Sequence, residues 1–169
     1  MNDFDAQFEW QAKYANQVVR IIAPYLIKVA DPEVDKKENG DFQISFPRNG
    51  TVGCRLRKPD MARYVGEVTF RSRARNGGKT EITKIIDGYG DYFFYGHVNN
   101  ASVIWHWYLI DYTKLRALFI RRRELIDHAK ANQVTNRDGT KFIVFNVEEQ
   151  LPEAVIAQST ARQEQLLPA

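Results

Sequence analysis

Apolar positions recur at helical spacing over residues 5–29. Phe8, Ala15, Val18, Val19, Ile22 and Leu26 fall in one stripe, and Trp10, Tyr14 and Ile21 widen it, which predicts a long helix with a broad buried face. Pro24 is expected to kink this helix or end its regular part, because proline removes an amide donor and crowds the preceding turn. Asp31-Pro32 should stop it, and the charged segment 31–40, which ends in Asn39-Gly40, reads as a surface loop closed by a turn. From residue 41 the period changes to two. Phe42, Ile44 and Phe46 alternate with Asp41, Gln43 and Ser45, and residues 47–50 turn the chain as in the first strand of a hairpin. Over residues 51–57 the inward set is Val52, Cys54 and Leu56, with Gly53, Arg55 and Arg57 opposite. Over 64–73, Val68 and Phe70 point inward and Glu67, Thr69, Arg71 and Arg73 outward. Three successive strands are thus predicted to form a meander with a strongly polar exposed side.

The pattern then alternates between periods. After the turn at 76–78, Thr80 is a good helix N-cap, Ile82, Ile85 and Ile86 supply a buried stripe, Glu81 and Lys84 lie together on another side, and Gly88 ends the helix. Residues 92–98 are apolar on both sides, as in a central strand covered on both faces, and Asn99-Asn100 can turn the chain into an aromatic strand over 102–110. Residues 112–130 read as a second long helix, with Arg121-Arg122-Arg123 partly outward, and 141–147 as a last strand. The expected architecture is α/β with a mixed sheet: one domain over 1–150 and a peripheral tail over 151–169.

Composition narrows the class. At 169 residues with 44% hydrophobic content the chain can bury one substantial core without staples, and no apolar run approaches the length of a membrane span. The acidic, aromatic start lacks the pattern of a signal peptide, so the cytoplasm is the expected location. Cys54 is the only cysteine, which excludes an internal disulfide and suits a small buried residue. His97, His106 and His128 are too far apart for a metal-ligand spacing. Charge changes the picture most. Between residues 55 and 84 there are nine Lys or Arg against Asp60, Glu67 and Glu81, a local excess of six on a chain whose net charge is +3. Arg55, Arg57, Arg71, Arg73, Arg75 and Lys79 are the expected contacts to nucleic-acid phosphates, with DNA the first partner and RNA the second.

The order helix, three strands, short helix, strand over residues 7–98 resembles the αβββαβ core of the PD-(D/E)XK nuclease-like superfamily, the restriction-endonuclease-like fold, here with an added C-terminal helix and strand. NGDFQISF, GTVGCRLRK and VTFRSRARNGGKTEITKIIDGYGDYFFYG together resemble a group of phage and prophage proteins, most specifically over residues 80–96. The resemblance implies a Mg²⁺-dependent (or Mn²⁺-dependent) DNA nuclease of a bacterial host cell, with two acids on the metal and a lysine orienting the attacking water. Asp41 matches the first acid. Where Glu-x-Lys should follow, the chain has Cys54-Arg55-Leu56-Arg57, and neither thiol nor guanidinium serves that chemistry. The second acid is then Glu67 or Glu81, with Lys84 as the lysine, or else the site is degenerate and binding alone remains. A phage protein of this kind could also bind a host defence or replication protein, or a second copy of itself.

Residues 96–101, GHVNNA, are similar to a signature of hotdog-fold acyl-CoA thioesterases, which would make Asp91 the catalytic acid. That signature precedes most of the sheet in the hotdog fold, whereas only 69 residues follow Asn100 here. Residues 97–101 are therefore expected to be a hairpin turn.

Overall fold

Two helices cover one face of a mixed four-stranded sheet, and a second sheet with further helices covers the other. The computed structural model describes residues 3–29, 42–44, 50–74, 77–136 and 138–160. In chain order these form α1 (Asp3–Ala12), α2 (Ala15–Leu26), β1 (Ile27–Val29), β2 (Phe42–Ile44), β3 (Val52–Arg57), a 3-10 turn (Pro59–Tyr64), β4 (Glu67–Arg73), α3 (Glu81–Ile86), β5 (Tyr92–Val98) and β6 (Ile104–Asp111). They continue as α4 (Tyr112–Arg121), α5 (Arg123–Ala131), β7 (Val134–Thr135), β8 (Lys141–Asn146), α6 (Val147–Gln150), a 3-10 turn (Pro152–Ala154) and β9 (Val155–Gln158). The expected loop over 31–40 lies outside the described residues.

The strand segments are where alternation placed them, but their partners differ from a meander. β1 pairs with β2, β3 with β5, and β4 with β8, so the three strands expected side by side belong to three different sheets. The larger sheet runs β3-β5-β6-β9, with β3 parallel to β5 and the other pairs antiparallel; the smaller antiparallel sheet runs β4-β8-β7. Strand period decides which face a side chain occupies and leaves the partner open.

Both faces of the larger sheet are buried. On one, Leu56, Phe94, Val98, Ile104, Trp107 and Leu109 pack against Tyr14, Val18, Ile22 and Leu26 of the helical layer. On the other, Phe93, Tyr95, Tyr108 and Ile110 meet Val68, Phe70, Ile143 and Phe145 of the smaller sheet, with α3, α4 and α5 closing the core. β5 is the central strand that its two-sided apolarity predicts, and residues 99–102 turn it into β6: Asn99 N–H donates to Val103 O (2.9 Å) and Val103 N–H to Asn99 Oδ1 (3.0 Å).

Three local expectations change. The first helix breaks at Lys13-Tyr14 and runs through Pro24 to Leu26; its buried side is Tyr14, Val18, Ile22 and Leu26, and Phe8 and Val19, expected in the buried stripe, lie off that side and are 64% and 59% exposed. The second long helix breaks at Arg122, whose φ of −121° and ψ of 66° are not helical, into α4 and α5. Residues 151–160, expected to be peripheral, are integral: Leu151 and Ala154 are fully buried and β9 is an edge strand of the larger sheet.

Candidate cationic cleft

Three devices build the site. β3 is an edge strand, and Gln11 of α1 accepts the Leu56 amide at 2.8 Å, which fastens α1 along that edge. α3 is short but capped at both ends: Thr80 Oγ1 accepts from Thr83 N–H (3.3 Å), while Tyr89 N–H reaches Lys84 O (2.9 Å) and Gly88 N–H reaches Ile85 O (3.2 Å). These last two bonds form a Schellman motif, in which Gly88 adopts a φ of +91° that a side chain would disfavour. The third device joins the sheets. β4 is the edge of its own sheet, so its outer amides and carbonyls lack a strand partner. Side chains take that place. Arg55 Nη1 donates to Thr69 O at 2.7 Å, Glu81 Oε2 accepts the Arg71 amide at 2.7 Å, and Arg55 Nη2 is ion-paired with Glu81 Oε1.

The resulting cleft holds about 740 Å³ between α1, β3, β4 and α3. Arg55, Arg57, Lys58, Arg71, Lys79 and Lys84 line it, against Asp60 and Glu81; Phe8, Gln11, Cys54 and Phe142 complete much of the wall. Among these cations the sequence cannot tell which are occupied, and the geometry separates them. Arg55 is bound to Thr69 and Glu81. Arg57 donates to Tyr95 Oη (2.6 Å) and to Thr69 Oγ1, so these two of the arginines expected on phosphates are held by the protein itself. Lys79 pairs with Asp87 at 2.7 Å in a solvated position. Arg71 lies over the Phe142 ring, 5.7 Å from its centroid, and its buried Nε has no partner among the described residues. Lys84 is exposed and lines both this cleft and a smaller one of about 270 Å³ beside Tyr89 and Tyr112. Arg73 is exposed beyond a bulge at the end of β4.

The acids expected on a metal do not converge among the described residues. Glu67 stands four residues before Arg71 along β4, about 13 Å at strand rise. Glu81 is held at the Arg71 amide, and each of its oxygens is already engaged. Mg²⁺ demands oxygens at about 2.1 Å in octahedral array, which these two carboxylates do not offer together. Asp41 and Arg75 lie outside the described residues. No group of three or more His, Cys, Asp or Glu comes together among the described residues. Asp91 accepts from Thr51 N–H (2.8 Å) and Oγ1 (3.2 Å) just before β5, while His97 is near the far end of that strand, about 20 Å away at strand rise.

Cys54 was expected to be buried and is instead exposed on the cleft wall, although the chain packed around its sulfur pushes the thiol up to about 11. Only the thiolate alkylates. At pH 8 iodoacetamide is expected to modify Cys54 about a hundredfold more slowly in the folded chain than in urea, followed by intact-mass spectrometry. Equal rates in the two states would show a normally ionising thiol.

No family model matches the chain, and neither a curated protein nor a solved structure matches it. Among the described residues no helix is long and apolar enough to cross a membrane.

Proposed function

We propose that the chain is a nucleic-acid-binding protein that holds the phosphate backbone along the cleft between α1, β3, β4 and α3. The observation that carries this reading is the charge of one concave surface: six cations against two acids, one of which is already neutralised by Arg55. Such a surface attracts polyanions and releases their counterions on binding. Arg71 and Lys84 are the contacts proposed in place of Arg55 and Arg57, because their charged groups have no acid partner among the described residues. The proposed setting is the cytoplasm of a bacterial cell; the nuclease-like core adds no support, because β2, β3 and β4 do not form its meander. Binding rather than cutting is the reading supported here, since Glu81 serves the fold and Glu67 is remote from it.

The test is fluorescence anisotropy with a labelled oligonucleotide across a salt series. Affinity is expected to fall steeply with salt, and Arg71→Ala and Lys84→Ala are each expected to weaken binding severalfold and to lower the logarithmic salt slope by about one. Arg121→Ala, which removes a cation paired with Glu153 elsewhere on the surface, is expected to change nothing. Salt-independent affinity, or affinity indifferent to Arg71 and Lys84, would overturn the reading. Loss of plasmid integrity with Mg²⁺ in the same preparation would restore the nuclease.

A further inference from the structure

We infer that the cleft takes single-stranded nucleic acid in preference to duplex, with an unstacked base lying against Phe8. This rests on the nucleic-acid reading above and specifies its ligand. Phe8 is 64% exposed, belongs to neither hydrophobic cluster, and stands on the α1 wall of the cleft. Its placement is not an accident of a loose helix end, because Gln11, one turn on, is bound to the β3 edge through the Leu56 amide. Trp10 of the same helix, by contrast, packs on the core and carries Lys58 over its ring at 5.7 Å. The cleft thus presents one free aromatic face. Deeper within the same cleft, Phe142 supports the Arg71 guanidinium, which adds a flat cationic surface whose Nε is unpaired among the described residues.

Aromatic and guanidinium planes set among phosphate-binding cations are the means by which proteins hold single strands, since every base has a π-face. A duplex keeps those faces inside its stack and offers only edges and backbone. A concavity of about 740 Å³ is of the size that encloses a small ligand, which suits one unstacked nucleotide. A lone exposed aromatic on a flat surface would carry nothing. Here it shares a wall with the cations that need a polyanion.

The experiment compares three probes on the full chain: a labelled oligothymidylate of about fifteen nucleotides, a duplex of equal length, and an abasic deoxyribose-phosphate oligomer. Oligothymidylate is expected to bind at least about tenfold tighter than the other two. Phe8→Ala is expected to weaken oligothymidylate binding by about fivefold or more and to leave the abasic oligomer, the duplex and the salt slope unchanged. Phe8→Trp is expected to retain affinity and to gain a fluorescence signal quenched on binding. The Ala variant removes a side chain absent from the core, so it should fold, which circular dichroism checks. Duplex bound as tightly as single strand, or Phe8→Ala without effect, overturns this inference while the dependence on Arg71 and Lys84 leaves the binding reading standing. Failure of all three probes to bind overturns both.

Discussion

The folding stability of this chain is expected to drop by about 3 kcal/mol between pH 7 and pH 4 through one side chain, His97. His97 is 1% exposed on β5, and both ring nitrogens lack hydrogen-bond partners among the described residues. It occupies a row that crosses three strands, Arg57 of β3, His97 of β5 and His106 of β6, where the registers place them side by side. Burial, then His106, then Arg57 lower its pKa from 6.5 to about 4. An imidazole that binds its proton less readily when folded favours unfolding in acid. Its contribution is therefore fully present above about pH 6.5, falls by about 1.4 kcal/mol per pH unit below that, and levels off below about pH 4. Urea unfolding of the wild type and of His97→Phe at each pH isolates the effect, because carboxylates elsewhere titrate equally in both. Phe can occupy the site against Tyr95, whose ring centroid is 5.8 Å from that of His97, without a proton to lose. Curves that run parallel from pH 7 to 4 would show that His97 titrates alike in both states. His97→Gln serves as a second comparison if the larger ring disturbs packing.

Glu81→Ala is expected to destabilise the fold by about 2 kcal/mol at pH 7, whatever it does to ligand binding. Two partners lose their acceptor at once: the Arg55 guanidinium, only 15% exposed, and the Arg71 amide at the unpaired edge of β4. A buried pair broken from one side would cost more, but Glu81 is 33% exposed, so water compensates in part. Glu81→Gln is expected to recover part of the loss, since its amide oxygen can still accept from Arg71. In a double-mutant cycle with Arg55→Met the two sites are expected to couple by about 1 kcal/mol. A role confined to chemistry or ligand contact would leave the denaturation midpoint of Glu81→Ala unchanged, and that result would remove Glu81 from the junction between the sheets.

These two residues illustrate how differently sequence pattern reports on a fold and on a site. His97 was legible as part of a strand, but nothing in GHVNNA signals that its neighbours across the sheet would be Arg57 and His106. Glu81 was legible as an acid in the first turn of a capped helix beside a basic strand. That it closes the edge of β4, rather than joining a metal-binding pair, depends on an arginine twenty-six positions earlier.

What the sequence by itself determined is what short-range physics controls. The strand at 52–57, the alternation in 67–73, the two-sided apolarity of 92–98, the Thr80 cap, the Gly88 stop and the Asn99 turn all appear where local pattern placed them, and the cationic cluster is plain from charge balance. The tertiary structure alone decided three things. It chose strand partners, because a period of two specifies a face and is silent on which edge lies alongside. It decided which cations are free, because Arg55 and Arg57 find acceptors on β4 and β5 that are distant in sequence. And it exposed Phe8, because the larger sheet takes the helical side that carries Tyr14, Val18, Ile22 and Leu26, and Phe8 lies off that side.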